Sequence, residues 1–179
     1  TYYGLHALQH RGQEGCGIAT ANGTEMFRER GEGLVTEIFS QQKLDKLEGR
    51  LAIGHVRYST AGGSGIDNVQ PFLFRHYTGD FALCHNGNIV NSRGLKMMLE
   101  QQGSIFQSTS DTEILAHLIK MDRRKDRLAA IVEALNMIEG AYAFLIMSPS
   151  KLFNCRYKKG FRPLSLGILN GGSVVSSET

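Results

Sequence analysis

The order in which strand-like and helix-like stretches follow one another is the strongest constraint this sequence places on its fold. Residues 17–21 and 24–28 read as a hairpin around Asn22-Gly23, a pair suited to a tight type I′ turn. Residues 51–58 and 81–85 read as further strands, and the last third carries four more, at 141–147, 151–156, 164–168 and 173–177. Helical periodicity is confined to other stretches. An opening helix is expected to end near Gly12 in a left-handed cap, and short helical pieces cross 34–47. Amphipathic helices follow at 91–102, 110–121 and 127–138, the second opened by a capping box of Ser110 with Glu113. A doubly wound parallel sheet would place a helix after every strand. Strands in groups, with helices between the groups, favour instead an α+β class of mostly antiparallel sheets with helices on their faces.

The chain has 179 residues, 41% of them apolar, enough for one sizeable core, so residues 1–179 are expected to form a single domain. The longest purely apolar run, residues 141–147, falls far short of the roughly 20 residues needed to span a membrane. Charge is nearly balanced, with 20 Lys plus Arg against 17 Asp plus Glu, so no field argues for nucleic acid or an anionic membrane as partner. Cys16, Cys84 and Cys155 are odd in number, widely spaced and in no metal-ligand pattern; neither a disulfide scaffold nor a zinc site is expected, and a reducing cytoplasm fits. Tyr2, Leu5 and Leu8 hold helical spacing from the start with no capping residue before them, and a strand-like stretch lies just before Thr179. Chain is expected to continue on both sides.

Four segments could carry chemistry. His85-Asn86-Gly87-Asn88 follows a strand and reads as a plain turn, Asn-Gly occurring also at 22 and 170. It reads alternatively as an oxyanion site, with the Asn86 amide beside the Gly87 backbone N–H. Arg57 ends a strand in Gly54-His55-Val56-Arg57-Tyr58-Ser59-Thr60 ahead of a glycine-rich loop; it is either a solvated strand end or a fork for a carboxylate. His55 reads as a satisfied core or interface histidine. Asp111 alone is a first-turn acid favoured by the helix dipole. Together, Arg57 and Asp111 could grip the carboxylate and ammonium of one amino acid. The polar run Gln9-His10-Arg11-Gly12 reads as basic capping of a helix end, and 120–127 as a solvated mixed-charge face. None of the cysteines makes a convincing nucleophile: Cys84 and His85 are strand neighbours on opposite faces, and Cys16 and Cys155 sit among apolar residues.

Taken in order, TYYGLHALQHRGQEG, AIGHVRYSTAGG, NVQPFLFR, HNGNIVN, QGSIFQSTSDTEILAHLI, GAYAFLIM and GFRPLSLG resemble the glutamine amidotransferase domain of the amidophosphoribosyltransferases, over nearly the whole chain. The resemblance implies a four-layer αββα sandwich of the N-terminal-nucleophile hydrolase type. It matches Arg57 and Thr60 to the glutamine α-carboxylate, Asp111 to the α-ammonium, Asn86 and Gly87 to the oxyanion, and Arg11 to the surroundings of the nucleophile. It places that nucleophile, a cysteine beginning the mature chain, upstream of Thr1, so that this chain would be a partial domain lacking its first strand and inactive alone. It also implies ammonia transfer to phosphoribosyl pyrophosphate, the opening step of purine synthesis, in a phosphoribosyltransferase domain in cis. Magnesium, and in some members an iron–sulfur cluster, would lie beyond these residues, in a homo-oligomeric parent protein. A glutaminase domain of another amidotransferase, or a non-catalytic glutamine-binding module, would keep the same pocket. One departure stands out: Arg156-Tyr157-Lys158 precedes Gly160-Phe161-Arg162-Pro163-Leu164, where the family has an Arg-Asp-Pro run.

Overall fold

All seven residues of β1 (Gly15–Ala21) are buried, so a layer must cover each of its faces. In the computed structural model, which describes residues 1–58, 65–121 and 126–179, one cover is helical and the other is a second sheet. β1 pairs antiparallel with β2 (Met26–Glu32) and β3 (Leu51–Arg57), in the order β2-β1-β3. The second sheet, also antiparallel, runs β4-β5-β6-β7: Phe72–Phe74, Phe81–Ile89, Gly140–Met147 and Leu152–Arg156. β8 (Ser165–Leu169) and β9 (Gly172–Ser176) form a separate hairpin.

Strand alternation sorts the apolar residues into three slabs. On one face of β1, Cys16 and Ile18 meet Leu5 of α1 (Tyr2–Ala7), Val35 of α2 (Val35–Ile38) and Phe39. α3 (Gln41–Leu44) follows, and its neighbour Leu47 packs on the same slab. On the other face Ala19 and Ala21, with Met26 and Ile53, meet Ala82, Cys84 and Met147 of the second sheet. Beyond that sheet, Phe81, Leu83, Phe144 and Ile146 pack on α4 (Ser92–Gln101), α5 (Thr112–Met121) and α6 (Arg127–Asn136). The result is the expected helix–sheet–sheet–helix stack. The inward positions of β1 are Gly15, Gly17, Ala19 and Ala21, small enough for the neighbouring layer to approach the strand's backbone. No helix among the described residues is long and apolar enough to cross a membrane.

Several local expectations are corrected. β5 runs on through Asn86-Gly87 to Ile89, so that pair lies within a strand and is not a turn. β4 is only three residues long, too short to leave a periodic signal. Asn22-Gly23 does not form a two-residue I′ turn. Ala21 pairs with Met26 across a four-residue loop, and the Asn22 side chain accepts from the N–H groups of Thr24 (3.0 Å) and Glu25 (2.8 Å). The two-residue turn with both φ positive belongs to Asn170 (50°) and Gly171 (79°), between Leu169 and Gly172. Gly12 is extended at φ −174°, not left-handed, and α1 gives way to a 3-10 turn at Gln9–Arg11. At the ends of the 120–127 run, Lys120 lies over the Phe81 ring and donates to Thr78, while Arg127 donates to the carbonyls of Asp80 and Thr78. Both are engaged with the 78–80 turn; residues 122–125 lie outside the described set.

The expected capping box is replaced by a tighter arrangement. The Ser110 hydroxyl accepts from Thr112 N–H at 3.3 Å. Glu113, buried, turns back to accept from Gln107 N–H (2.9 Å), Ser108 N–H (2.8 Å) and the Ser108 hydroxyl (2.6 Å). Burial opposes its charge, but His117 and these hydrogen bonds outweigh it and push the carboxyl down from 4.5 to about 2. A depressed carboxyl pKa stabilises the fold above its unfolded value and loses that contribution as pH falls towards its folded value. Glu113→Gln is therefore expected to cost on the order of 2–3 kcal/mol at neutral pH. Denaturant titrations should show the gap to the unsubstituted chain closing between pH 4.5 and about pH 2.

Candidate functional site

β4 pairs with β5 only from Phe74↔Phe81 to Phe72↔Leu83, so beyond Leu83 one edge of β5 has no strand beside it. That edge lies inside the protein, where backbone N–H and C=O groups need partners. In an antiparallel ladder, alternate residues turn these groups to the same side. Val90 donates to Glu139 on the β6 side, which leaves His85, Gly87 and Ile89 facing the open edge. Two of the three are met by side chains. His85 N–H donates to Gln70 Oε1 at 2.6 Å, and Nε2 of His55 donates to the His85 carbonyl at 3.1 Å. Ile89 N–H donates to Asp111 Oδ2 at 2.8 Å. Between them, the ladder turns the Gly87 N–H towards a cleft of about 260 Å³. Small-molecule pockets run from about 300 to 1,000 Å³, so this one suits a ligand the size of a single amino acid.

Arg11, Arg57, Asn86, Gly87 and Asp111 all line this cleft. Thr60 lies outside the described residues. Ile53 faces the second sheet, and the period of two carries His55 and Arg57 to the same inner side of β3; Arg57 is buried at the strand's end. Asn86, two residues after inward-facing Cys84, points to the same inter-sheet side. Asp111 stands just ahead of α5, whose N-terminus abuts the open edge of β5. Burial disfavours its charge, but neighbouring His85 and the N–H groups of Ile89 and Thr112 outweigh this and hold the carboxyl below its ordinary value. It stays an anion with acceptor capacity to spare.

His55 and His85 line the cleft and are engaged with the protein itself. The His85 ring stacks on Phe144 at 4.2 Å, meets the Thr112 hydroxyl at 3.1 Å and lies 3.6 Å from Asp111. Burial lowers His55 to about 4, outweighing the hydrogen bond to the His85 carbonyl, which favours the charged ring, so it is neutral at physiological pH. Its Nδ1 has no hydrogen-bond partner among the described residues. The cysteines do not serve the cleft. Burial pushes Cys16 and Cys155 up to about 11 and Cys84 higher still, and none of them lines it. Among the described residues no cluster of three His, Cys, Asp or Glu could hold a metal.

His10 caps the Ala7 carbonyl at 3.1 Å, as its sequence position suggests. Arg11 does not cap; it reaches across the chain to the Ser177 carbonyl (3.2 Å) and the Glu178 carboxylate (2.9 Å) at the rim of the cleft. Gly12 lies where a Cβ would come within 2.6 Å of the Arg57 main chain, and Glu14 N–H donates to the Arg57 carbonyl, so the 12–14 segment seats that arginine. The departing Tyr157-Lys158 turn is well formed: Tyr157 stacks on Phe161, and Arg156 donates to the carbonyls of Gly160 and Arg162. This places Arg162 in the cleft lining. Sequence reading missed Asn68, Gln70, Thr112 and Arg162. For Gln70 the signal in the sequence was only the proline after it, a residue found at the starts and edges of strands.

In sequence and fold the chain is similar to known glutamine amidotransferases. The family described as "Glutamine amidotransferase domain" matches residues 55–179. The chain is 53% identical over 180 residues to an amidophosphoribosyltransferase of Bacillus subtilis, covering 100% of this chain and 38% of the relative. It is 47% identical over 180 residues to the chloroplastic amidophosphoribosyltransferase 1 of Arabidopsis thaliana, covering 99% of this chain and 32% of that protein. The solved glutamine phosphoribosylpyrophosphate amidotransferase of B. subtilis, complexed with ADP and GMP, superposes with a TM-score of 0.93 at 51% identity, over 99% of this chain and 38% of that one. A structure described as the allosteric regulatory enzyme of purine biosynthesis gives 0.95 at 53% identity, with the same coverage. The chain thus spans about two fifths or less of the length of these relatives.

A methyl group at Gly87 would collide with the Ala141 carbonyl on β6 and lie 2.9 Å from His85 Nε2, at a φ of +151° that other residues rarely adopt. Gly87→Ala is expected to lower stability by on the order of 2–4 kcal/mol, read from the midpoint of chemical denaturation. Ala at Gly94, whose added Cβ meets nothing within 4 Å, should leave the midpoint unchanged or raise it.

Proposed function

The chain belongs to the glutamine amidotransferase domain family, and from that premise we propose that its cleft binds glutamine and hydrolyses the side-chain amide to glutamate and ammonia. One observation carries the assignment. A carboxylate binder, Arg57, an ammonium binder, Asp111, and an oxyanion pair, Asn86 with Gly87, converge on a single cleft from three elements separated in sequence. Arg57 forks onto the glutamine α-carboxylate, with Thr60 assigned to the same group, and Asp111 takes the α-ammonium. The side-chain amide then extends towards the edge of β5.

A thiolate adds to the amide carbon, and the carbonyl electron pair moves onto oxygen. The Asn86 amide and the Gly87 N–H receive that charge; the Gly87 main chain is held by the pairing of β5 with β6 before the reaction, so little reorganisation is needed there. The amide nitrogen takes up the proton that the thiol gave up, and collapse expels it as ammonia and leaves a thioester. Water adds to the thioester and releases glutamate and the thiol. Because Cys16, Cys84 and Cys155 lie away from the cleft and are held protonated, we assign the nucleophile to a cysteine outside residues 1–179, ahead of Thr1, seated beside Arg11, Asn86 and Gly87. Arg11, tied to Glu178 and the Ser177 carbonyl, orders that end of the cleft.

For the longer protein we propose the reaction its relatives are named for. Ammonia passes to a phosphoribosyltransferase region outside these residues and displaces pyrophosphate from phosphoribosyl pyrophosphate, giving 5-phosphoribosylamine in purine synthesis. Magnesium belongs to that region on this reading, as does any iron–sulfur cluster, and the whole protein works as a homo-oligomer in the cytoplasm.

The test is glutamate release from glutamine by the full-length protein. Arg57→Ala should lower kcat/KM about 10- to 100-fold, the loss expected on removing a charged hydrogen-bond partner worth on the order of 1.5–3 kcal/mol. Asp111→Asn should act in the same direction. Full turnover in either variant would overturn the assignment of the two ends of the substrate.

A further inference from the structure

The register of β4 on β5 carries an observation that the glutaminase reading does not use. Phe72 faces Leu83, so two residues further along Gln70 would face His85. There the ladder stops: β4 begins at Phe72, and Gln70 meets His85 through its side chain and not its main chain. The buried side chain of Gln70 takes the place of the missing main chain. Its Oε1 accepts from His85 N–H at 2.6 Å, and its Nε2 lies 3.5 Å from the His85 carbonyl and 3.3 Å from the Thr112 hydroxyl. His85 is one residue before Asn86 and two before Gly87.

The segment carrying this amide is held from several sides. Arg30 donates to the Val69 carbonyl at 2.7 Å, and Arg28 lies 3.4 Å from that of Pro71. On β1, the absence of a Cβ at Gly17 makes room for the Gln70 carbonyl itself. Asn68 exchanges hydrogen bonds with Thr109, two residues before Asp111. The 68–71 stretch therefore braces both the open edge of β5 and the loop that leads to the ammonium binder.

Resting on the glutaminase reading above, we propose that Gln70 is a positioning residue for the oxyanion site: by clamping the His85 peptide it sets where the Asn86 amide and the Gly87 N–H meet the tetrahedral intermediate. Gln70 lines the cleft but directs its hydrogen bonds to His85 and Thr112 and not to Arg57 or Asp111, so its removal is expected to fall on the transition state more than on glutamine binding. Oxyanion stabilisation depends on donors held at hydrogen-bond distance from the developing charge, and small displacements weaken it steeply.

The experiment uses the full-length protein with Gln70→Met, which keeps the volume and removes both hydrogen-bonding groups, and Gln70→Asn, which keeps the amide one carbon too short to reach His85. Glutamine hydrolysis is measured as kcat and KM separately, on protein whose melting midpoint and circular dichroism establish that it is folded. Expected is a fall in kcat of about 10- to 100-fold with KM within about threefold, in whichever variants fold. Hydrogen exchange should rise in the peptide spanning 84–90 and stay unchanged in the one spanning 15–21. A kcat within twofold of the unsubstituted enzyme, or a loss carried by KM alone, would overturn the proposal. Should the unsubstituted full-length protein itself fail to hydrolyse glutamine, the functional reading falls and takes this proposal with it.

Discussion

The open edge of β5 is the constraint from which the site follows. A strand edge inside a protein leaves backbone donors and acceptors that water cannot reach, and an unpaired buried group costs on the order of 1–3 kcal/mol. Here the edge cannot be closed by another strand, since β4 stops at Phe72. It is closed by side chains arriving from three directions: Gln70 from the loop before β4, His55 from the facing sheet, and Asp111 from the start of α5. Each fixes its own element against β5 in doing so. The cleft is what remains between these three attachments, and the Gly87 N–H, turned by strand alternation into the gap, is the donor they leave for a ligand.

The same requirement explains how Asp111 and His55 come to be buried here. Asp111 keeps its charge because it replaces a strand's carbonyl for Ile89 while sitting beside His85. His55 loses its charge to burial and needs none, since a neutral imidazole with one N–H suffices for the His85 carbonyl. Among the described residues lining the site, Asp111 is the anion and Arg57 the buried cation, with Arg11 and Arg162 less buried beside them; the Asp111–Arg57 pairing is complementary to an α-amino acid, whose charges are of opposite sign at its two ends.

Much of the layer order was legible from period and grouping alone. The alternating inner positions of β1, the apolar run of β6 and the three amphipathic helices each carry their burial pattern in local sequence, and local pattern is what periodicity reads. Arg57 and Asp111 were legible as a pair because their chemistry is complementary, though each alone has an ordinary structural explanation. What escaped is what depends on register between segments far apart. Asn86-Gly87 has the composition of a turn, and only its pairing with Ala143 and Tyr142 keeps it extended. Gln70 looks like any loop glutamine until it is set opposite His85, 15 residues away. Arg162 reaches the cleft through a turn whose stacking of Tyr157 on Phe161 has no local periodic signature.

Gly12 and Gly17 show how such long-range information is nevertheless written in sequence, in a form that is hard to decode. Neither occupies a left-handed conformation. Each is small because another segment's main chain passes where its Cβ would stand: Arg57 against Gly12, Gln70 against Gly17. A glycine of this kind records that two backbones touch without saying which two. Here the touching partners are Arg57, the proposed carboxylate binder, and Gln70, the proposed clamp of the β5 edge, so the demand for close approach falls on the main chains of these two residues. The rigidity of the cleft thus originates in small residues on β1 and in the loop before it, one layer away from where a substrate would lie.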